Sequence, residues 1–142
     1  MDAPPPPPPP PAHAWRLFSP DEWAAVEAAG AFAGSALDAK DGYIHLSLPS
    51  EVRATVAAYF AAAPRLVLAK VDLRDFAARG MLRMDYVASR AAFFPHVFDA
   101  ARGHDAGPPP GIPLAAFARP PAVLLARAGG GGFDGWPEGE GF

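Results

Sequence analysis

The stretch DGYIHLSLPS, residues 41–50, reads as a short apolar strand that carries a histidine and a serine two residues apart. Successive side chains of an extended strand point to opposite faces. Tyr43, His45 and Ser47 therefore share one face, and Ile44, Leu46 and Leu48 the other. The second is an ordinary core face. The first holds a phenol, an imidazole and a hydroxyl. It either lines a pocket or presents hydrogen-bonded polar groups at a half-solvated sheet. The pattern predicts Ile44 and Leu46 buried behind a cleft lined by Tyr43, His45 and Ser47.

Working outward, Asp41-Gly42 makes a turn before the strand, and AFAGSALDAKDG reads as a loop leading into it. After it, PSEVRATVAAYFAAAP places Val52, Val56, Tyr59 and Phe60 on one helical stripe that ends at Pro64. Upstream, WRLF is a short strand. SPDEW then opens a helix, with Ser19 and Glu22 spaced as a capping box, Pro20 in the first turn and Gly30 as the stop. Downstream, RLVLAKVDL is a central strand, LRDFAARG a helical turn and MLRMDYV a strand. Pro95 makes AAFFPHVFD an edge or turn strand. GHDAGPPPGIP, with His104, is a loop, LAAFA a turn or strand, and AVLLARA the last strand. The expected fold is α+β: a bent, largely antiparallel sheet of about five or six strands with short helices packed on it. No Gly-rich phosphate loop opens a helix after a strand.

The chain of 142 residues suits one domain. Eight prolines run without a break through residues 4–11, and residues 129–142 are rich in glycine and acidic groups. Residues 1–13 are therefore expected to form a disordered leader that includes His13, residues 14–128 the domain, and residues 129–142 a disordered, dispensable tail. The proline run also has the composition of a ligand for an SH3- or WW-type groove. There is no cysteine, which excludes disulfides, thiolate metal sites and cysteine nucleophiles. A net charge of −3 gives no general pull toward nucleic acid. No apolar run has the length of a membrane span, and no secretory signal opens the chain, so the expected location is cytoplasmic.

Two short signatures, DGYIHLS and FPHVF, together with EWAAVEAAGAFAGSALDAKDG and LVLAKVDL, resemble the domain-of-unknown-function family 952 over roughly residues 15–125. That resemblance implies a fold similar to ADP-ribosyltransferases, with a split, strongly bent sheet around a nucleotide cleft. In that class a histidine and a hydroxyl residue one position removed from each other contact NAD. His45-Leu46-Ser47 resembles the motif, with Leu46 where glycine is usual. The resemblance also implies an acid, and Asp85 stands where the family carries one. Its other reading is a carboxylate paired with Arg83 or Arg90. His96, among Phe93, Phe94 and Phe98, is a candidate base or donor. It reads equally as a core histidine.

Arg53 and Arg90 are candidate phosphate ligands, and Asp41 and Tyr43 join Ser47 as candidate ligand contacts. His45, His96 and Asp41 have no dense metal-ligand spacing, so no metal is assigned. Three functions are compatible with these residues. One is a transferase of the ADP-ribosyltransferase-like class acting on NAD or a related nucleotide through His45, Asp85 and His96. A second is a non-catalytic nucleotide- or metabolite-binding module. A third is an RNA-end phosphotransferase, which would need more cleft arginines than are evident. NAD enters as a possible substrate, and no bound cofactor is assigned.

Overall fold

The computed structural model describes residues 3–102, 107–139 and 142; the loop histidine His104 lies outside them. The chain order is β1 (His13–Phe18), α1 (Pro20–Ala29), β2 (Ala31–Phe32), α2 (Ala36–Asp41), β3 (Tyr43–His45), α3 (Pro49–Tyr59), β4 (Arg65–Asp72), α4 (Arg74–Ala78), β5 (Leu82–Val87), β6 (Ala92–Phe98), β7 (Ile112–Pro113), β8 (Ala122–Ala126) and β9 (Phe133–Asp134). The strands form a four-stranded sheet in the order β1-β4-β8-β9, a three-stranded sheet β3-β6-β5, and the pair β2-β7. Each pairing is antiparallel. The mixed α and antiparallel β class read from the sequence is thus the class observed.

Alternation along β1 sorts its side chains into two cores. Ala14 and Phe18 face a cluster with Trp23, Val26, Ile44, Leu46, Val71 and Val97. Trp15 faces the other cluster, with Val52 and Val56 of α3 and Leu66, Leu68 and Leu124 of the sheet. Burying each such aliphatic side chain contributes about 1.5–3 kcal/mol. Helix α1 begins as its spacing predicts, with Ser19 and Glu22 bonded reciprocally in a capping box and Gly30 left-handed at its end (φ 77°).

A backbone bridge joins the two main sheets at Trp15 and Ser47. Trp15 N–H donates to Ser47 O at 2.8 Å, and Ser47 N–H donates to Trp15 O at 2.9 Å. Continued in register, this ladder would next pair Leu17 with His45. It stops there because side chains intercept the backbone. His45 N–H donates to Asp38 Oδ1 at 3.1 Å, and Arg16 Nη1 donates to His45 O at 2.9 Å. The Arg16–Asp38 pair thus occupies the place of the next two ladder bonds, and the strands diverge.

Several expectations are corrected. The segment read as a loop contains β2 and α2, and α2 begins with a second capping box, Ser35 with Asp38. The FPHVF strand is central in its sheet. Pro95 is tolerated because it sits where pairing with β3 ends; its carbonyl still accepts from Leu46 N–H at 3.1 Å. Tyr59, placed on the buried stripe of α3, is 73% exposed. His13 begins β1 instead of belonging to a leader. The tail is not featureless: β9 pairs with β8, and Phe133 is buried in the Trp15 cluster with Trp136 and Phe142 packed beside it. Its aromatic residues supply the apolar surface that its glycine content obscured.

Candidate functional site

Where the sheets diverge, a cleft of about 470 Å³ opens. Trp15, Leu17, Leu46, Val52, Phe60 and Phe94 contribute apolar wall, and Arg16, Asp38, His45, Ser47, Arg90 and His96 contribute polar groups. Leu37 and Tyr59, 56% and 73% exposed, stand among its lining residues.

Asp38 is the hub of the polar side. It is fully buried. Its Oδ2 accepts from Ser35 N–H at 2.7 Å and Ser35 Oγ at 3.0 Å, and lies 3.1 Å from Arg16 Nη2. Its Oδ1 accepts from Arg16 Nη1 at 3.1 Å and faces His45 Nδ1 at 2.7 Å. Burial alone would push this carboxyl up. The His45 hydrogen bond, the Arg16 charge and the Ser35 backbone N–H outweigh it and hold the group well below its ordinary 3.8. The other nitrogen of His45, Nε2, faces Asp41 Oδ2 at 2.9 Å. Carboxylates only accept, so both contacts are hydrogen bonds when both ring nitrogens carry hydrogen.

A second carboxylate–imidazole pair lies beside the first. His96, 4% exposed, sits directly across from His45 in the β3–β6 register. Its Nδ1 is 2.5 Å from Asp85 Oδ2, and Arg83 Nε donates to Asp85 Oδ1 at 2.7 Å. Burial opposes ionisation of Asp85, but the His96 and Arg83 hydrogen bonds prevail and lower its pKa. The rings of His45 and His96 lie 5.2 Å apart, and Tyr43 stacks on His96 at 4.2 Å.

The residues singled out from the sequence are thus distributed unevenly. His45, Ser47, Arg90 and His96 line the cleft. Ile44 and Leu46 are buried, although Leu46 also touches the opening. Asp41, Tyr43 and Asp85 stand behind the histidines without lining it. Arg53 lies elsewhere, its guanidinium 4.2 Å from the Trp136 ring in the tail. Arg90 sits over Phe94 at 4.9 Å and donates to Thr55 Oγ1 at 3.1 Å.

Arg16 and Asp38 were missed. Asp38 had a signal, since Ser35-x-x-Asp38 has the capping-box form. Arg16 had none, because its partners are 22 and 29 residues away.

A pH dependence follows. Asp38 and Asp85 have lower pKa values folded than unfolded, so they bind fewer protons when folded. Their stabilisation is complete above the ordinary value of 3.8 and is lost as pH falls through the folded values. The melting midpoint should fall between about pH 4 and 2, and less steeply in Asp38→Asn. An unchanged acid slope in that variant would remove Asp38 as a source.

These features define a small antiparallel α+β protein with a cleft at a sheet division, backed by two carboxylate–imidazole pairs. The chain belongs to the DUF952 family, described as a protein of unknown function, whose model matches residues 17–105. It is similar to protein CC0527 of Caulobacter crescentus, in its crystal structure, at 29% identity and a TM-score of 0.66 over 83% of this chain and 90% of that one. The solution NMR structure of CC0527 gives 28% identity and a TM-score of 0.65 over 84% and 90%. A comparison with curated proteins finds no match. Among the described residues no helix is long and apolar enough to cross a membrane.

Proposed function

We propose that the cleft binds a small nucleotide-class molecule, NAD or a relative, and holds it without turnover. The observation that carries this reading is the make-up of the cleft: about 470 Å³, within the usual range for small-molecule sites, with apolar walls suited to a planar ring. Arg90, stacked on Phe94, bonded to Thr55 and 3.7 Å from the Glu51 carboxylate, brings a guanidinium that a bound anionic group would share with Glu51. The indole N–H of Trp15, a lining residue, is buried with no hydrogen-bond partner among the described residues. Absence of turnover is inferred from the carboxylates. Asp38, Asp41 and Asp85 are each engaged by histidine or arginine, and neither Asp41 nor Asp85 lines the cleft.

A second reading has one observation in its favour. Asp85 orients His96, which does line the cleft, as an acid orients a general base. On that reading the pair supports ADP-ribosyl or glycosyl transfer from NAD, the fold being of the ADP-ribosyltransferase-like type. An RNA-end phosphotransferase is less well supported, because the lining arginines are already paired, Arg16 with Asp38 and Arg90 with Glu51.

Thermal shift separates the two main readings when combined with a turnover assay. A ligand at a hundredfold its dissociation constant stabilises by about 2.7 kcal/mol, on the order of 10 °C here. NAD or ADP-ribose should raise the midpoint, and Arg90→Ala should weaken the effect. Release of nicotinamide from NAD would favour transfer instead. No shift with NAD, ADP-ribose or AMP at millimolar concentration would defeat the nucleotide reading.

A further inference from the structure

The point where the sheets diverge leaves one stretch of backbone open on the cleft wall. In an antiparallel ladder, residues alternate between bonding one neighbour strand and the other. Leu73 N–H bonds Ala12 O, which fixes Ala12, Ala14, Arg16 and Phe18 as the β1 residues bonded to β4. Trp15 bonds the opposite way, to Ser47. Leu17 has the parity of Trp15, so its N–H and C=O also point away from β4. The far side of β4 agrees. Ala126 N–H bonds Pro64 O, so Leu68, which stands across from Leu17, sends its bonds to Ala122 in β8.

The partner that register would give Leu17 is His45, and its N–H and C=O are taken by Asp38 and Arg16. No described residue bonds the outward N–H and C=O of Leu17, and Leu17 lines the cleft. The opening is one residue long. On one side Trp15 is closed by Ser47; on the other, Ser19 N–H is held by Glu22 Oε1 at 2.8 Å. That is too short for an extended peptide to add as a strand. It matches one planar amide, which presents a carbonyl and an N–H side by side. The corresponding approach at Leu46 is closed, because Leu46 N–H already bonds Pro95 O.

We propose that Leu17 binds ligand through its main chain: its N–H donates to the carbonyl, and its C=O accepts from the N–H, of a planar amide edge. That chemistry belongs to the lactam or imide edge of a nucleobase and to a ring carboxamide. This deepens the nucleotide-class reading of the cleft and rests on it. It also accounts for the apolar surround, where an amide hydrogen bond is shielded from water.

The test uses the full chain and two ligand pairs. Inosine is compared with 1-methylinosine, and benzamide with N,N-dimethylbenzamide; each second member lacks the amide N–H. Discrimination of about tenfold or more within either pair is expected, and the pair that shows it identifies the source of the amide. Leu17→Pro removes the main-chain donor while costing no ladder bond, since that N–H faces the free edge. It should weaken the preferred ligand about tenfold and abolish the discrimination within that pair, whereas Leu17→Ala, which shortens the apolar wall but keeps both main-chain groups, should preserve that discrimination. Equal affinity within both pairs, or no binding by any of the four, overturns the proposal; the pairs decide this on the unaltered protein even if Leu17→Pro fails to fold. NAD or ADP-ribose binding without amide discrimination overturns Leu17 alone. Discrimination within the benzamide pair with no nucleotide bound upholds Leu17 and overturns the nucleotide reading.

Discussion

Asp38→Ala is expected to destabilise the protein by about 3–5 kcal/mol, the cost of breaking a buried ion pair from one side. The side chain is fully buried and satisfies Ser35, Arg16 and His45 together. Its removal leaves the mostly buried Arg16 guanidinium without a counter-charge, and His45 N–H and the Ser35 cap without acceptors. The midpoint should drop roughly 10–15 °C. Asp41→Ala is the control, because Asp41 is partly exposed and touches only the outer nitrogen of His45; it should cost no more than about 1 kcal/mol. Chemical denaturation of both variants measures the difference. Equal losses would mean that Asp38 is not the hub its contacts describe.

Phe133→Ala should cost about 3–4 kcal/mol, and deletion of residues 129–142 at least as much. Phe133 is buried against Trp15, Leu66 and Leu124, and Trp136 and Phe142 close over the same cluster. Phe142 meets the Trp15 ring edge-on at 4.8 Å, and Arg53 covers Trp136. Gly135 makes the return possible: at φ 101° it lies so close to β8 that a Cβ there would fall 2.2 Å from Val123 O. Gly135→Ala should therefore loosen the tail as well. A shortened protein ending at Ala128 that melts at the full-length midpoint would restore the view of a dispensable tail.

Local signals in the sequence were legible where they acted locally. Ser19, Pro20, Glu22 and Gly30 bound α1 because cap, ring and left-handed stop lie within one or two turns of their partners. Alternation in residues 43–47 placed Ile44 and Leu46 inside because a strand has a period of two. The same capping signature at Ser35 and Asp38 was hidden by the glycines and short apolar residues around it, so α2 read as loop. The meeting of His45 and His96 depends on which strands pair, and that depends on the whole core. So does the neighbourhood of Arg16, whose hydrogen bonds reach Asp38 and His45, 22 and 29 positions away. Glycine content misrepresented the tail, since three aromatic side chains decide where it packs.

The interrupted ladder has a consequence for how this architecture tolerates change. The cavity is not hollowed out of the core; it is a zipper held ajar by one cation and one anion at the first tooth. Apolar residues at positions 16 and 38 would free His45 N–H and C=O to find the edge of β1. The protein would then gain backbone bonds and lose its opening. Such a double replacement would exchange the buried ion pair and the opening for strand pairing, an exchange that is often neutral or stabilising. Arg16 and Asp38 thus hold the gap open at the expense of two strand-to-strand bonds, and the stability they contribute is tied to the opening they keep.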